Sequence, residues 1–146
     1  MAKFSFRLQS YLSLKTKIED QKRNEFGKAV AQVEIEKQRL ADLHQEKDEC
    51  IADFRHKVEN SIEPYNLNRY NLYIEKIKER IKLQMAQLAR AEALMKAKRA
   101  ELIEAMKDRK ILDTLKEKEY EAYLDEEKKN EQKILDDLVS YKYRTG

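Results

Sequence analysis

The stretch Asn60-Ser61-Ile62-Glu63-Pro64-Tyr65-Asn66-Leu67-Asn68 decides how this chain folds. It holds the one proline of 146 residues, and long runs of helical hydrophobic spacing lie on both sides of it. Proline blocks a helix interior because it lacks an N–H and its ring clashes with the preceding turn. Gly27 is the only other internal breaker, so the chain has one place to reverse. The expected fold is all-α: a long antiparallel two-helix coiled-coil hairpin, formed as one unit over 1–146. Its first arm covers about 3–60, its turn about 61–67 and its longer second arm about 68–143.

Composition supports a rod over a compact domain. Charged residues make up 40% of the chain and mean hydropathy is −0.90, while the apolar residues keep a helical period. Such a chain buries a seam and has no central core. The 31 Lys+Arg and 28 Asp+Glu are interspersed, with 12 of each sign up to Glu63, as on the solvated faces of long helices. A basic excess is concentrated in Glu75 to Arg99, and another in the first eighteen residues, where Lys3, Arg7, Lys15 and Lys17 precede any acid.

In the second arm Ile74, Ile81, Leu88, Met95 and Leu102 recur every seven residues. Tyr70, Ile77, Gln84, Ala91, Lys98, Ala105 and Leu112 supply the alternating set, the pattern of a coiled-coil seam. The first arm gives Phe26, Val33, Leu40, Lys47 and Phe54, interleaved with Val30, Lys37, His44, Ile51 and Val58, and extended by Leu8, Tyr11, Leu12 and Ile18. A turn centred on Pro64 makes facing residue numbers sum to about 128, pairing Phe54 with Ile74 and Leu40 with Leu88. Lys37, His44 and Lys47 then serve as polar intrusions that fix register, with His44 layered against Gln84. At about 1.5 Å per residue the first arm spans roughly 85 Å and the second roughly 110 Å. The second arm therefore overhangs from about Asp125, yet Ile134, Leu135, Leu138 and Tyr141 continue an apolar stripe there.

Several chemistries lack their residues. A phosphate-cradling loop needs closely spaced glycines, and only Gly27 and Gly146 are present. His44, Cys50 and His56 are six apart, which places them on different helical faces, so no metal site and no cofactor are expected. Adjacent carboxylates such as Glu126 and Glu127 sit on solvated helix without a pocket to shift their pKa. No run approaches the roughly 20 apolar residues of a membrane span, so no direct membrane insertion is expected. The opening residues lack the apolar core of a signal peptide, and one cysteine fits a reducing cytosol. A diluted basic stretch gives no dense cationic stripe, so no nucleic acid partner is expected.

The opening Phe4-Ser5-Phe6-Arg7-Leu8 followed by Ile18-Glu19, the middle run from Tyr70 through Tyr73, Ile74, Ile77, Ile81 and Gln84 to Leu88, and the late segments Arg109 to Lys118 and Glu131 to Asp136 resemble the flagellar export protein FliJ family along nearly the whole chain. Asp137-Leu138-Val139 departs from the more acidic, smaller-residue ending that the resemblance leads one to expect. The resemblance implies a non-catalytic stalk and adaptor of the flagellar type III export apparatus, similar to the central stalk of rotary ATPases. Its terminal end enters the ring of a hexameric flagellar export ATPase, promoting assembly and activity. Other surfaces meet a membrane export gate protein and export chaperones, which places it in the cytoplasm at the inner face of the inner membrane.

For the ring contact, the basic aromatic tip offers Phe4, Phe6, Leu8 and Tyr11, and the overhang offers Leu124, Leu135, Leu138 and Tyr141. For the gate contact the resemblance points to Tyr73, Ile77 and Gln84. Tyr73 lies one step off the seam, Ile77 is a core position by its spacing, and Arg80 stands where a smaller residue is expected. A stalk of a virulence-type secretion system and a generic cytosolic coiled-coil scaffold are the competing readings; neighbouring genes separate the first, and lack of affinity for any ATPase marks the second.

Overall fold

The computed structural model describes residues 3–60 and 63–145, with the side chains of Tyr65 and Thr145 outside that description. Two helices account for nearly all of it. Helix α1 runs Gln9–Glu59, 51 residues, and α2 runs Pro64–Thr145, 82 residues. They pack against each other as an antiparallel hairpin with the second helix longer, and no strand is present among the described residues.

Pro64 begins α2 and does not sit within the turn. Proline suits this first helical position because its missing N–H would have no intrahelical acceptor and its fixed φ is already helical. The Glu63 carbonyl accepts the N–H of Asn66 at 3.0 Å and of Leu67 at 3.1 Å, opening the helix with a carboxylate beside its positive end. Residues 64–67, expected in the turn, are therefore helical, while Ser61 and Ile62 lie outside the described residues. Centring the reversal between Asn60 and Glu63 corrects the register. The pairs Asp53–Tyr70, Glu25–Lys98 and Lys15–Asp108 each sum to 123, a slip of five residues, about 1.4 helical turns, from the expected 128. Phe54 meets the Tyr70 ring, centroids 5.6 Å apart, and not Ile74.

The seam of α2 follows the expected heptads. Ile77 is fully buried, and Ile81, Ala91, Leu102, Ala105 and Leu112 are buried with it, while Ile74, Gln84, Leu88, Met95 and Lys98 are half-buried. On α1, Leu12, Glu19, Val33 and Ala29 are buried and Phe26, Leu40, Lys47 and Phe54 half-buried. Most of the alternating set of α1 is nevertheless one residue earlier than expected: Ala29, Glu36 and Leu43 face inward, whereas Val30, Lys37, His44 and Val58 are exposed; Ile51 is half-buried as expected, alongside half-buried Cys50. His44 thus forms no layer with Gln84.

Contacts group the chain into two units. One combines residues up to Gln21 with those from Ile103 onward, and its core is Phe6, Leu12 and Leu112, flanked by Phe4, Leu8 and Leu115. The other, Lys22–Leu102, contains Val33, Ile77 and Ile81 and is tied by Lys22, Glu25, Lys98 and Glu101, whose charges alternate between the helices.

Candidate functional site

In the first unit, residues 3–6 precede α1 without helical structure and lie against α2. The Phe4 ring meets Tyr120 edge-on at 5.1 Å and Tyr123 at 5.5 Å, the geometry favoured by the aromatic quadrupole. Phe6 is buried, with Leu8 packed beside it. Phe4, Phe6 and Leu8 therefore form the closure between the first residues and α2. Tyr11 is instead 49% exposed, with the Lys15 ammonium 5.3 Å from its ring centre. Tyr120 and Tyr123 were not among the residues read from the sequence as contacts; their three-residue spacing on one face of α2, opposite an aromatic N-terminus, is the available signal.

Beyond Tyr123, every described side chain from Leu124 to Arg144 is exposed except half-buried Glu127. Leu124, Leu135, Leu138 and Tyr141 are among them, joined by Ile134, Val139 and Tyr143. Ile134, Leu138 and Tyr141 follow one another by four and three residues, so they share a helix face with Leu135 at its margin. This face is apolar and open to solvent.

The same unit contains a carboxylate missed by an apolar reading of the seam. Glu19 is 4% exposed and sits seven residues after Leu12 and seven before Phe26, on the heptad line itself. Arg109 of α2 donates through Nε to Glu19 and through Nη1 to Asp113, and these bonds raise its pKa, Glu19 first. A buried carboxylate held this way is costly to unpair.

In the second unit, Tyr73, Ile77 and Gln84 share a stretch of α2 but occupy different environments. Tyr73 is 44% exposed, and its hydroxyl donates to Glu46 at 2.6 Å, which raises the phenol's pKa. Ile77 is core. Gln84 Nε2 donates to the Glu36 carboxylate and, at 3.1 Å, to its backbone carbonyl. Glu36, 5% exposed, also accepts from Gln32 at 2.8 Å and from Arg39 at 3.0 Å. Its pKa is lowered, chiefly by the Gln84 bond, against the opposing effect of burial. Nearer the turn, Lys57 donates to the Tyr70 hydroxyl at 2.6 Å and that hydroxyl donates to Asp53. The Tyr70 bond lowers the pKa of Asp53, and Cys50 beside it is pushed up by burial, so its thiol is a poor nucleophile at neutral pH.

Among the described residues no three His, Cys, Asp or Glu side chains are grouped to hold a metal ion, and no helix is long and apolar enough to cross a membrane. What remains is a seam with two pinned carboxylates and a solvent-facing apolar end. Against that geometry, the family model described as flagellar FliJ protein matches residues 4–146. The chain belongs to the FliJ family. It is thus of the flagellar, type III export stalk type, in a family of non-catalytic export components. A solved structure described as a YscO homolog, CT670 from Chlamydia trachomatis, is similar to this FliJ-family chain at a TM-score of 0.65 and 18% identity. The match covers 97% of this chain and 96% of that one and shows a shared fold. No curated protein matches the chain.

Proposed function

We infer that this FliJ-family chain is the non-catalytic stalk and adaptor of flagellar type III protein export, its terminal end entering a hexameric export ATPase ring and promoting assembly and hydrolysis there. The observation carrying this reading is the apolar face of α2 beyond Tyr123, where Leu124, Leu135, Leu138 and Tyr141 stay exposed. An apolar face of this size is what a ring bore would cover. Tyr11 adds an exposed aromatic from α1, while Phe4, Phe6 and Leu8 support the end by closing it. For a membrane export gate protein, Tyr73 offers an exposed ring, Gln84 a polar edge and Ile77 the packing that holds both in place. Export chaperones complete the partners, and the complex would bring the chain to the cytoplasmic face of the inner membrane.

The test is stimulation of the cognate export ATPase by the purified full chain, compared with Leu135→Asp/Leu138→Asp/Tyr141→Asp. These side chains are exposed, so circular dichroism should show the variant as helical as the parent. Stimulation by the parent and its loss in the variant is the expected result, because a bore packing on this face would have to desolvate three carboxylates, at roughly several kcal/mol in total. Equal stimulation by both proteins would remove the overhang from the contact. A parent that neither binds nor stimulates the ATPase would refute the stalk reading.

A further inference from the structure

The inward stripe of α2 does not stop where its cover stops. In steps of three and four residues it runs through Leu112, Lys116, Glu119, Tyr123 and Glu127, all buried or half-buried. It then continues through Asn130 to Ile134, Leu138 and Tyr141, which are exposed. The helix face that closes the hairpin is thus bare over its last turns, and another helix is what such a face fits. Charge narrows the choice of helix. Between Leu124 and Arg144 there are six acids and five bases, so the segment favours neither a strongly acidic nor a strongly basic partner, and it lacks the lysine-rich polar face of a helix that lies on anionic lipid. The order of the charges is more informative than their sum. Glu126, Lys133, Asp137 and Arg144, all exposed, follow one another by seven, four and seven residues, so they form one edge of the stripe with alternating sign. Read in reverse, that edge has the opposite sign at every position.

We propose that the overhang pairs with the overhang of a second copy of this chain, antiparallel about a two-fold axis near Leu135. Glu126 then faces Arg144 and Lys133 faces Asp137, each pair summing to 270, and the symmetry repeats both, giving four contacts between opposite signs. Ile134 of each copy seats between Ile134 and Leu138 of the other. A parallel pair would instead set every charge of this edge against its own like. On the other edge Leu135 meets its counterpart. Lys142 approaches Lys128 there, but Lys128 is a third of a turn off the stripe, and half-buried Glu127 on the stripe lies as near to Lys142. Three heptads of helix, about 30 Å, interrupted by Asn130, make a small interface that forms and dissociates with concentration. The pairing stands without the stalk reading. Its consequence for the export ATPase rests on that reading, since a ring bore that covers Leu138 and Tyr141 would displace the second copy.

The test is sedimentation of the full chain without any ATPase, so failure here is distinguishable from failure of the ring contact. The parent should show a monomer–dimer equilibrium with a dissociation constant of roughly 10–300 µM. Lys133→Asp/Arg144→Asp makes the edge wholly acidic, and Glu126→Lys/Asp137→Lys makes it wholly basic. Each variant alone should dimerise at least about tenfold more weakly than the parent. An equimolar mixture should recover the parent's association as a heterodimer, because every contact on the edge is again between opposite signs. Direction is read from disulfides in a Cys50→Ser background: Leu135→Cys should cross-link two chains, and Tyr143→Cys, whose two copies lie about 24 Å apart in the antiparallel pair, should not. A parent that stays monomeric at about 1 mM, a mixture that associates no better than either variant alone, or cross-linking at Tyr143→Cys as ready as at Leu135→Cys would each overturn the proposal.

Discussion

Glu36 carries a charge into the seam and keeps it because Gln84, Gln32 and Arg39 all donate to it. Its lowered pKa fixes the direction of a pH effect. A carboxyl group that binds its proton less tightly when folded adds stability above its ordinary value, and this is lost as pH falls through the lowered folded value. The melting temperature of the parent should therefore drop on acidification more steeply than that of Glu36→Gln, whose amide does not titrate. Parallel acid limbs for the two proteins, followed by circular dichroism, would show that Glu36 contributes no such linkage. Gly27 gives a second expectation at this scale. It lies inside α1, and a Cβ built there meets nothing within 4 Å, so packing does not require glycine. Gly27→Ala should stabilise the chain by about 0.5–1 kcal/mol in urea unfolding, through reduced backbone entropy of the unfolded state. No gain would mean that the helix is strained at this point.

Helix α2 was legible residue by residue because isoleucine, leucine and methionine occupy most of its inward positions, so hydrophobicity and burial agree. Helix α1 was legible only in half of its seam. Its second inward set begins with Ala29, which is less apolar than the neighbouring Val30, and a strict seven-residue step from Val30 carried the reading to Lys37 and His44, one position past the inward Glu36 and Leu43. Glu19 and Glu36 were invisible for the same reason, since a carboxylate reads as surface until a partner across the seam is known. Register failed separately. A proline was read as the centre of a turn, although its geometry suits the first residue of the next helix. Cysteines test the corrected register directly. In a Cys50→Ser background, cysteines at Glu36 and Gln84 should form a disulfide within one chain, and cysteines at Glu36 and Glu92 should not. The second site is eight residues further along α2, about 12 Å at helical rise. The reverse preference would restore the earlier register.

For the molecule as a whole, the overhang and its apolar stripe were foreseeable from unequal arm lengths, whereas the burial of Phe6 was not. An aromatic residue near a terminus reads as an exposed tip until its contacts are known, and here those contacts are Leu12 and Leu112. The division between closed and open regions predicts amide exchange. Residues 125–144 should exchange fastest within α2, and residues 74–112, which hold Ile77, Leu102 and Leu112, slowest, because exchange follows the stability of local packing. Uniform protection along α2 would contradict the structure. The hairpin also constrains how the protein is made. Phe54 and Tyr70 are sixteen positions apart and can meet soon after the ribosome has passed the reversal, whereas Phe6 must wait for Leu112, 106 positions later. At roughly 5–20 residues per second, that wait is on the order of 5–20 s. Throughout it, the apolar seam near the start of the nascent chain has no α2 segment to cover it, which makes it a natural client of a ribosome-bound holdase. A stall late in translation would therefore release a chain zipped near its middle and sticky at its beginning.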